Sequence, residues 1–362
     1  GCLEDLTNQT LYSKGELEIV IIDSASPENE GDIVREFQKS YQNIQYIRTS
    51  ERESLYAAWN RGILAASGRY ITNANTDDRH REDSLEVMAM TLDRHPEVDL
   101  VYGDCYATNK PNETFEENSK TRLFRYLEFF APSVLLHYQF GPQPMWRRSV
   151  HDKIGMFDAS YRAAGDYDFN IRFAMHCRAL HIPETLGLYL EHQSAISFRD
   201  DTMARENIRI AEAYRTAAVI EQLYRKEGLS VSSAGEKARM YLDLGIRALE
   251  YYPAWTEGRA ERRPDLAAWC FTKASELEHG LPEQLVPREI LVHFTKKGIY
   301  TPSPYKKNKA AITTLVQSGN DNLKAGKSHT ESQRRSQLKV LIIVHNFPPN
   351  WFAGVEIYSY HL

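Results

Sequence analysis

Two carboxylates stand side by side in Asn75-Thr76-Asp77-Asp78, immediately after the apolar segment Tyr70-Ile71-Thr72-Asn73. Hard oxygen donors of this kind hold divalent cations, and a cation at that point would neutralise a diphosphate. An acidic pair also suits a turn or a helix N-cap, so its chemistry depends on the chain around it. Asp23 is placed in a similar way, at the end of Leu17-Glu18-Ile19-Val20-Ile21-Ile22. Farther on, Asp166 and Asp168 open the stretch Gly165-Asp166-Tyr167-Asp168-Phe169-Asn170-Ile171-Arg172. By spacing alone, Asp166 reads as an N-cap and Asp168 as a partner one helical turn before Arg172.

The elements that must position these residues follow from hydrophobic periodicity. Residues 17–22, 44–47, 70–73 and 98–102 read as strands, and 32–41, 55–66 and 83–94 as helices, the second ended by Gly68. This alternation predicts an α/β fold, an open and largely parallel sheet covered by helices. Ligands of such sheets sit at the carboxyl ends of the strands, which selects Asp23 and residues 75–78. Residues 104–200 read as mixed loops and short strands with one clear helix at about 166–176. From 205 to 281 the composition is helical, with two loosely similar blocks at 238–251 and 267–277 that do not by themselves establish a solenoid. Residues 301–337 are rich in Ser, Thr, Asn, Gln, Gly and Lys, as flexible linkers are. A new apolar strand begins at 338–344, followed by Pro348-Pro349 and Gly354. The expected division is 1–203, a helical region 204–300, a linker 301–337, and the start of a further unit at 338–362.

Composition narrows the function classes. The 362 residues are 42% hydrophobic and 26% charged, the balance of a globular protein, and the net charge of −5 offers no basic field for a nucleic-acid backbone. Cys2, Cys105, Cys177 and Cys270 make no C-x-x-C pair, which fits a reducing, cytoplasmic setting better than a zinc knuckle or disulfide framework. No apolar run reaches the length of a spanning helix; 129–136 is short, holds Pro132 and reads as core. The chain opens at Gly1 and passes at once through Leu3, Leu6 and Leu11, the pattern of an amphipathic helix met part-way, so it is expected to be a fragment.

The order of segments resembles the inverting family 2 glycosyltransferases of GT-A fold. The resemblance is carried by Glu18-Ile19-Val20-Ile21-Ile22-Asp23 with Ser26, by Ala58-Trp59-Asn60-Arg61-Gly62-Ile63 with Ala66 and Gly68-Arg69-Tyr70-Ile71, and by Asn75-Thr76-Asp77-Asp78. Gly141-Pro142-Gln143-Pro144-Met145-Trp146-Arg147-Arg148, Gly155-Met156-Phe157-Asp158 and the run from Gly165 continue it. The resemblance implies that Asp23 accepts a hydrogen bond from the donor base, that Asp77 lies near ribose and metal, and that Asp78 binds Mn2+ or Mg2+. It likewise implies donor contacts for Asn60, Arg61 and the loop of Gly141, and a general-base role for Asp166. His192 matches a late His that would complete the metal or diphosphate site. Two departures stand out: Gly165 replaces the usual Glu before Asp166, and Ser24 replaces a frequent second Asp. The family's first strand precedes the helix in which this chain opens. At the other end, Lys339-Val340-Leu341-Ile342-Ile343-Val344-His345-Asn346-Phe347-Pro348-Pro349 with Gly354-Val355-Glu356 resembles the opening of a family 4 type, GT-B glycosyltransferase.

The chemistry implied is metal-assisted transfer of a sugar from a nucleoside diphosphate, of the uridine type, to a hydroxyl of a glycan, lipid-linked sugar or protein, with inversion, in surface polysaccharide or glycan synthesis. An acceptor hydroxyl needs a carboxylate to take its proton, and the leaving diphosphate needs its charge met. Two other readings compete. One is a catalytically degenerate donor-binding or docking module within a tandem enzyme, which Gly165 favours. The other is a sugar-nucleotide nucleotidyltransferase, which would want a Gly-rich, basic loop after a first strand.

Overall fold

The structure is a computed structural model that describes residues 1–191, 201–250 and 263–286, positions 288, 291, 295 and 296, and the backbone of 340–346. Its described residues fall into two compact units. The first unit is α/β, and its sheet is the frame on which every candidate residue hangs.

The chain enters through two short helices, α1 (Cys2–Thr7) and α2 (Thr10–Ser13), where the leucine spacing predicts one. The break has a cause in side-chain competition: the Gln9 amide donates to the Arg81 carbonyl at 3.0 Å, and the Thr10 N–H to the Glu82 carbonyl at 3.0 Å. Leu6 and Leu11 are nonetheless both buried. Then come β1 (Leu17–Asp23), α3 (Glu30–Ser40), β2 (Ile44–Arg48), α4 (Leu55–Ala65), β3 (Tyr70–Asn73), the two-residue β4 (Arg79–His80), α5 (Ser84–Arg94) and β5 (Leu100–Thr108). The expected alternation is present, each boundary within a residue or two save the end of β5. That strand runs on to Thr108 because a bulge at Gly103–Asp104 lets its second half pair with two neighbours. Ser54 starts α4 by accepting the N–H of Ala57 at 3.3 Å.

After β6 (Arg122–Phe124), residues Ala131–Leu135 form a buried 3-10 turn, so this apolar stretch is core as its composition predicts. The unit continues through β7 (Met145–Arg147), α6 (Val150–Ile154), α7 (Gly165–His176), β8 (Ala179–Leu190), α8 (Thr202–Tyr214) and α9 (Ala217–Lys226). Among the described residues nine strands form one sheet, in the order β2-β1-β9-β3-β7-β5-β8-β4 with β6 beside β5. Here β9 is Val340–Asn346, the strand expected near 338–344; its backbone lies between β1 and β3, parallel to both. Pairing is parallel across β2, β1, β9 and β3 and between β5 and β8, whereas β4, β6 and β7 run antiparallel. The near-continuous burial of β1 and β3 matches strands covered on both faces. One core layer gathers Leu17, Ile19, Ile21, Leu85, Met88 and Leu92 with Val101 and Met145.

The second unit is helical: α10 (Ala234–Glu250), α11 (Pro264–Leu277) and α12 (Leu281–Leu285). Its tightest contact is Gly245 against the Phe271 ring, where an added Cβ would stand only 2.5 Å from a ring carbon. The linker expected at 301–337 lies outside the described residues. Among the described residues no helix is long and apolar enough to cross a membrane. All four cysteines are free thiols.

Leu92 is wholly buried between α5 and the sheet, while Leu64 on α4 is 78% exposed. Leu92→Ala should therefore cost about 2–5 kcal/mol of unfolding free energy, and Leu64→Ala no more than about 0.5 kcal/mol. Urea denaturation of both variants checks the assigned core.

Candidate active site

At the carboxyl end of β3 the chain makes a tight turn through Thr76 and Asp77, closed by the Asp78 N–H on the Asn75 carbonyl at 3.2 Å. Asp78 points inward and is 1% exposed. Its Oδ2 accepts from the Asn75 amide at 2.8 Å and its Oδ1 from the Leu190 N–H at 3.1 Å, so the end of β8 is stitched to the turn. Burial, and then the charge of Asp77, push the Asp78 carboxyl well above the usual carboxylate range. Arg79 stabilises the turn from below, its guanidinium donating to the carbonyls of Thr76 (3.0 Å) and Asp78 (2.5 Å).

The loop that precedes β7 is tied to this turn at several points. Thr72 and Asn73 donate from their side chains to the carbonyls of Pro144 and Pro142, both at 2.8 Å. Between those prolines the Gln143 amide is buried and donates to the carbonyls of Arg79 (3.0 Å) and Leu188 (3.1 Å). Gly187 makes room for it: a Cβ there would lie 1.8 Å from Gln143 Oε1. Gly141 has φ +66°, and its carbonyl accepts from the Tyr138 hydroxyl at 3.1 Å. The Tyr138 hydroxyl in turn bonds with Asn170 of α7 and lies within reach of the Asp166 charge. The loop 138–144 thus joins the acidic turn to the start of α7.

Asp166 sits in the first turn of α7, partly exposed. Its Oδ1 accepts from the Tyr56 hydroxyl at 3.1 Å and from the Tyr167 N–H at 2.9 Å. Loss of water around it raises the carboxyl from 3.8 to about 6, an effect that those donors reduce and the charge of Glu206 adds to. Glu206, from α8, holds the segment that leads into α7, accepting the N–H groups of Arg162, Ala163 and Ala164 at 2.8–2.9 Å. Asp166 is therefore not the cap that its spacing alone suggests, while Asp168 pairs with Arg172 at 2.7 Å as expected.

The other expected donor contacts are differently engaged. Asp23, 1% exposed at the end of β1, accepts from the Ser26 N–H at 2.7 Å and from Tyr46 and Arg48 across the β1–β2 pair. Three of the carboxylate's roughly four acceptor positions are thus used within the chain. Asn60 spends its side-chain amide on Phe157, donating to its carbonyl at 2.8 Å and accepting its N–H at 3.0 Å. Arg61 forms a two-point pair with Glu53. His192 lies outside the described residues. Among the described residues no group of three or more His, Cys, Asp or Glu side chains is arranged to hold a metal. The sequence reading missed Tyr56, Tyr138, Arg79 and Glu206 as contributors. Tyr56 in a helix looks like core, which it also is, and nothing in the spacing links residue 206 to residues 162–164.

Residues 1–155 match the family model for glycosyl transferase family 2. The chain is 28% identical over 187 residues to a PGL/p-HBAD biosynthesis glycosyltransferase of Mycobacterium bovis (strain BCG / Pasteur 1173P2), covering 50% of this chain and 68% of that protein. It is 29% identical over 195 residues to the glycosyltransferase YwdF of Bacillus subtilis (strain 168), covering 52% of this chain and 67% of the relative. Among solved structures it is similar to S. aureus TarS, with a TM-score of 0.47, 14% identity and 82% of this chain covered; the chain spans 50% of that one.

The raised carboxyl of Asp166 has a consequence for stability. Between 3.8 and about 6 the unfolded chain is ionised while the folded one keeps this proton, so the Asp166 contribution to stability falls as pH rises through that window. Asp166→Asn has no such ionisation. At pH 8 it should be more stable than wild type by about 1–3 kcal/mol, with the gain gone by about pH 4. Urea midpoints at the two pH values check this, and a gain equal at both would rule out burial of the charge as its cause.

Proposed function

We propose that this chain is a sugar-nucleotide-dependent glycosyltransferase whose catalytic base is Asp166. The observation that supports the reading is the loop 138–144, whose Pro142 and Gln143 bond to Asn73 and Arg79 on either side of the Asp78 turn and whose Tyr138 lies within reach of the Asp166 charge. The family 2 match at residues 1–155 supports the reaction class. It also supports a GT-A arrangement, with the donor over β1 and β3.

In this reading the acceptor hydroxyl gives its proton to Asp166 as its oxygen attacks the anomeric carbon. The bond from that carbon to the diphosphate breaks on the opposite face, so the configuration inverts. A carboxyl with a value near 6 is ionised at neutral pH yet basic enough to accept a proton in flight. Asp77 and Asp78, with His192, would hold Mn2+ or Mg2+, which when bound supplies Lewis-acid stabilisation to the departing diphosphate. The residues fit a cation in one respect: burying Asp78 beside Asp77 is unfavourable to its charge, and a bound cation offsets both causes. Asp23 has one acceptor position left for a donor base. Gly141, whose positive φ keeps the loop close to Tyr126, would bring backbone near the donor sugar. Asn60 and Arg61 act on the donor through the loops they brace. The donor is a uridine diphosphate sugar, and the acceptor is a hydroxyl of a glycan, lipid-linked sugar or protein in surface polysaccharide synthesis at the cytoplasmic face of a membrane. In this reading residues 1–203 carry the transferase domain, 204–300 a helical region and 301–337 a linker, while 338–362 resemble the opening of a GT-B unit in sequence although the backbone of 340–346 lies in the first unit's sheet.

A non-catalytic docking module is the second reading, favoured by Gly165 in the place of the usual Glu. Transfer assays with a panel of nucleotide sugars, with and without Mn2+ or Mg2+, separate the two. The transferase reading expects metal-dependent turnover that rises with pH through about 6. Asp166→Asn should lower kcat by about 10²–10⁴-fold, and Asp78→Asn should raise the metal concentration needed. Nucleotide binding without turnover by the wild type would establish the docking module instead.

A further inference from the structure

Gly165 occupies the place where the resembled family carries Glu, and the structure gives that substitution a local reason. A Cβ added at Gly165 would stand 2.7 Å from Cδ2 and Cε2 of the Tyr56 ring, closer than real side chains pack. The ring cannot easily retreat. It is 1% exposed, meets Trp59 edge-on at 5.6 Å and stacks on Phe157 at 6.0 Å. Phe157 is itself fixed by the two hydrogen bonds from Asn60, one turn along α4 from Tyr56. The hydroxyl at the far end of this braced ring reaches Asp166 Oδ1.

The second donor to Asp166, the Tyr167 N–H, goes to the same oxygen. Among the described residues no other residue donates to Oδ2, and the one further donor to the carboxylate is the N–H of Asp166 itself. Two convergent donors on one oxygen fix the plane of the carboxylate and leave the other oxygen for an incoming proton. We propose that Tyr56 is a positioning residue for Asp166, admitted by Gly165, and that together they reserve Oδ2 as the proton acceptor. The inference rests on the reading of Asp166 as the base. It deepens that reading by assigning to Tyr56 the neighbouring place that a side chain at position 165 would otherwise fill.

The groups that face Asp166 are Tyr56 from α4, Tyr138 from the loop and Glu206 from α8. Burial and the Asp166 charge hold the Tyr56 hydroxyl well above its ordinary value, so it stays a donor across the working pH range. Its bond favours the ionised carboxylate, and Tyr56→Phe should move the titration of Asp166 upward. A hydrogen bond to a charged group corresponds to a shift of about one pH unit.

The test follows the Asp166 carboxyl by carbon NMR in the free protein and, in parallel, the acidic limb of kcat/KM. In Tyr56→Phe both should rise by about one unit while the fold, read by urea denaturation, is kept. Gly165→Ala, which displaces the ring, should shift them in the same direction in the wild type and add nothing in the Tyr56→Phe background. An Asp166 titration unchanged in Tyr56→Phe overturns the proposal, as does a Gly165→Ala shift that persists in full without the hydroxyl. If the NMR titration shifts as stated but Asp166→Asn transfers sugar at the wild-type rate, the positioning of the carboxylate stands and the base assignment falls.

Discussion

The amide of Gln143 holds the two halves of the crevice together. It is buried where β4 and β8 pair, and it donates to the carbonyls of Arg79 and Leu188, which stand opposite each other in that ladder. A buried amide is costly unless its donors are used, and here they are used on the two strands that bracket the acidic turn. Because Gln143 lies between Pro142 and Pro144, both bonded to β3 side chains, the whole loop inherits its position from the sheet. Through Tyr138 the same loop touches the environment of Asp166. The acidic turn and the loop are thereby joined by buried side-chain donors that each end on a backbone carbonyl.

Much of the sheet was legible in the sequence because strands buried on both faces cannot alternate. Residues 17–22 are apolar except for Glu18 and end at Asp23, and Tyr70-Ile71 lead directly into the polar Thr72 and Asn73 ahead of the acidic turn. Residues 131–136 were legible as core for a similar reason. The acidic turn could be found from one rule, that ligands gather at strand ends. What the sequence did not reveal were contacts that carry no period. Gln143 is a single polar residue between two prolines, and Glu206 holds the approach to α7 from about forty residues away. Asn60 shows the reverse problem: a polar residue in a familiar place spends both ends of its amide on the Phe157 backbone. The middle of the first unit was hardest to read because β4, β6 and β7 are two or three residues long and run against the parallel order.

The two carboxylates at the heart of the crevice are kept at a cost to stability. Asp78 is buried beside another acid, and Asp166 is stripped of much of its water. Their surroundings limit that cost in different ways. Asp78 is held by one amide and one backbone N–H, which oppose the repulsion from Asp77. Asp166 takes a hydroxyl and a backbone N–H on one oxygen only. A core built for stability alone would place neutral groups at both positions.

The position of β9 has a consequence for how the molecule assembles in time. This strand comes from residues 340–346, yet it lies between β1 and β3, whose residues are made near the beginning of the chain. While the polypeptide is still emerging, those two early strands each present a row of open amide and carbonyl groups to the gap between them. An open strand edge of that kind invites pairing with any extended segment that passes. Closing the gap with the segment observed there requires a loop closure over hundreds of residues. Such distant pairing slows folding, and the interval before it is when this protein most needs protection from association with other nascent chains.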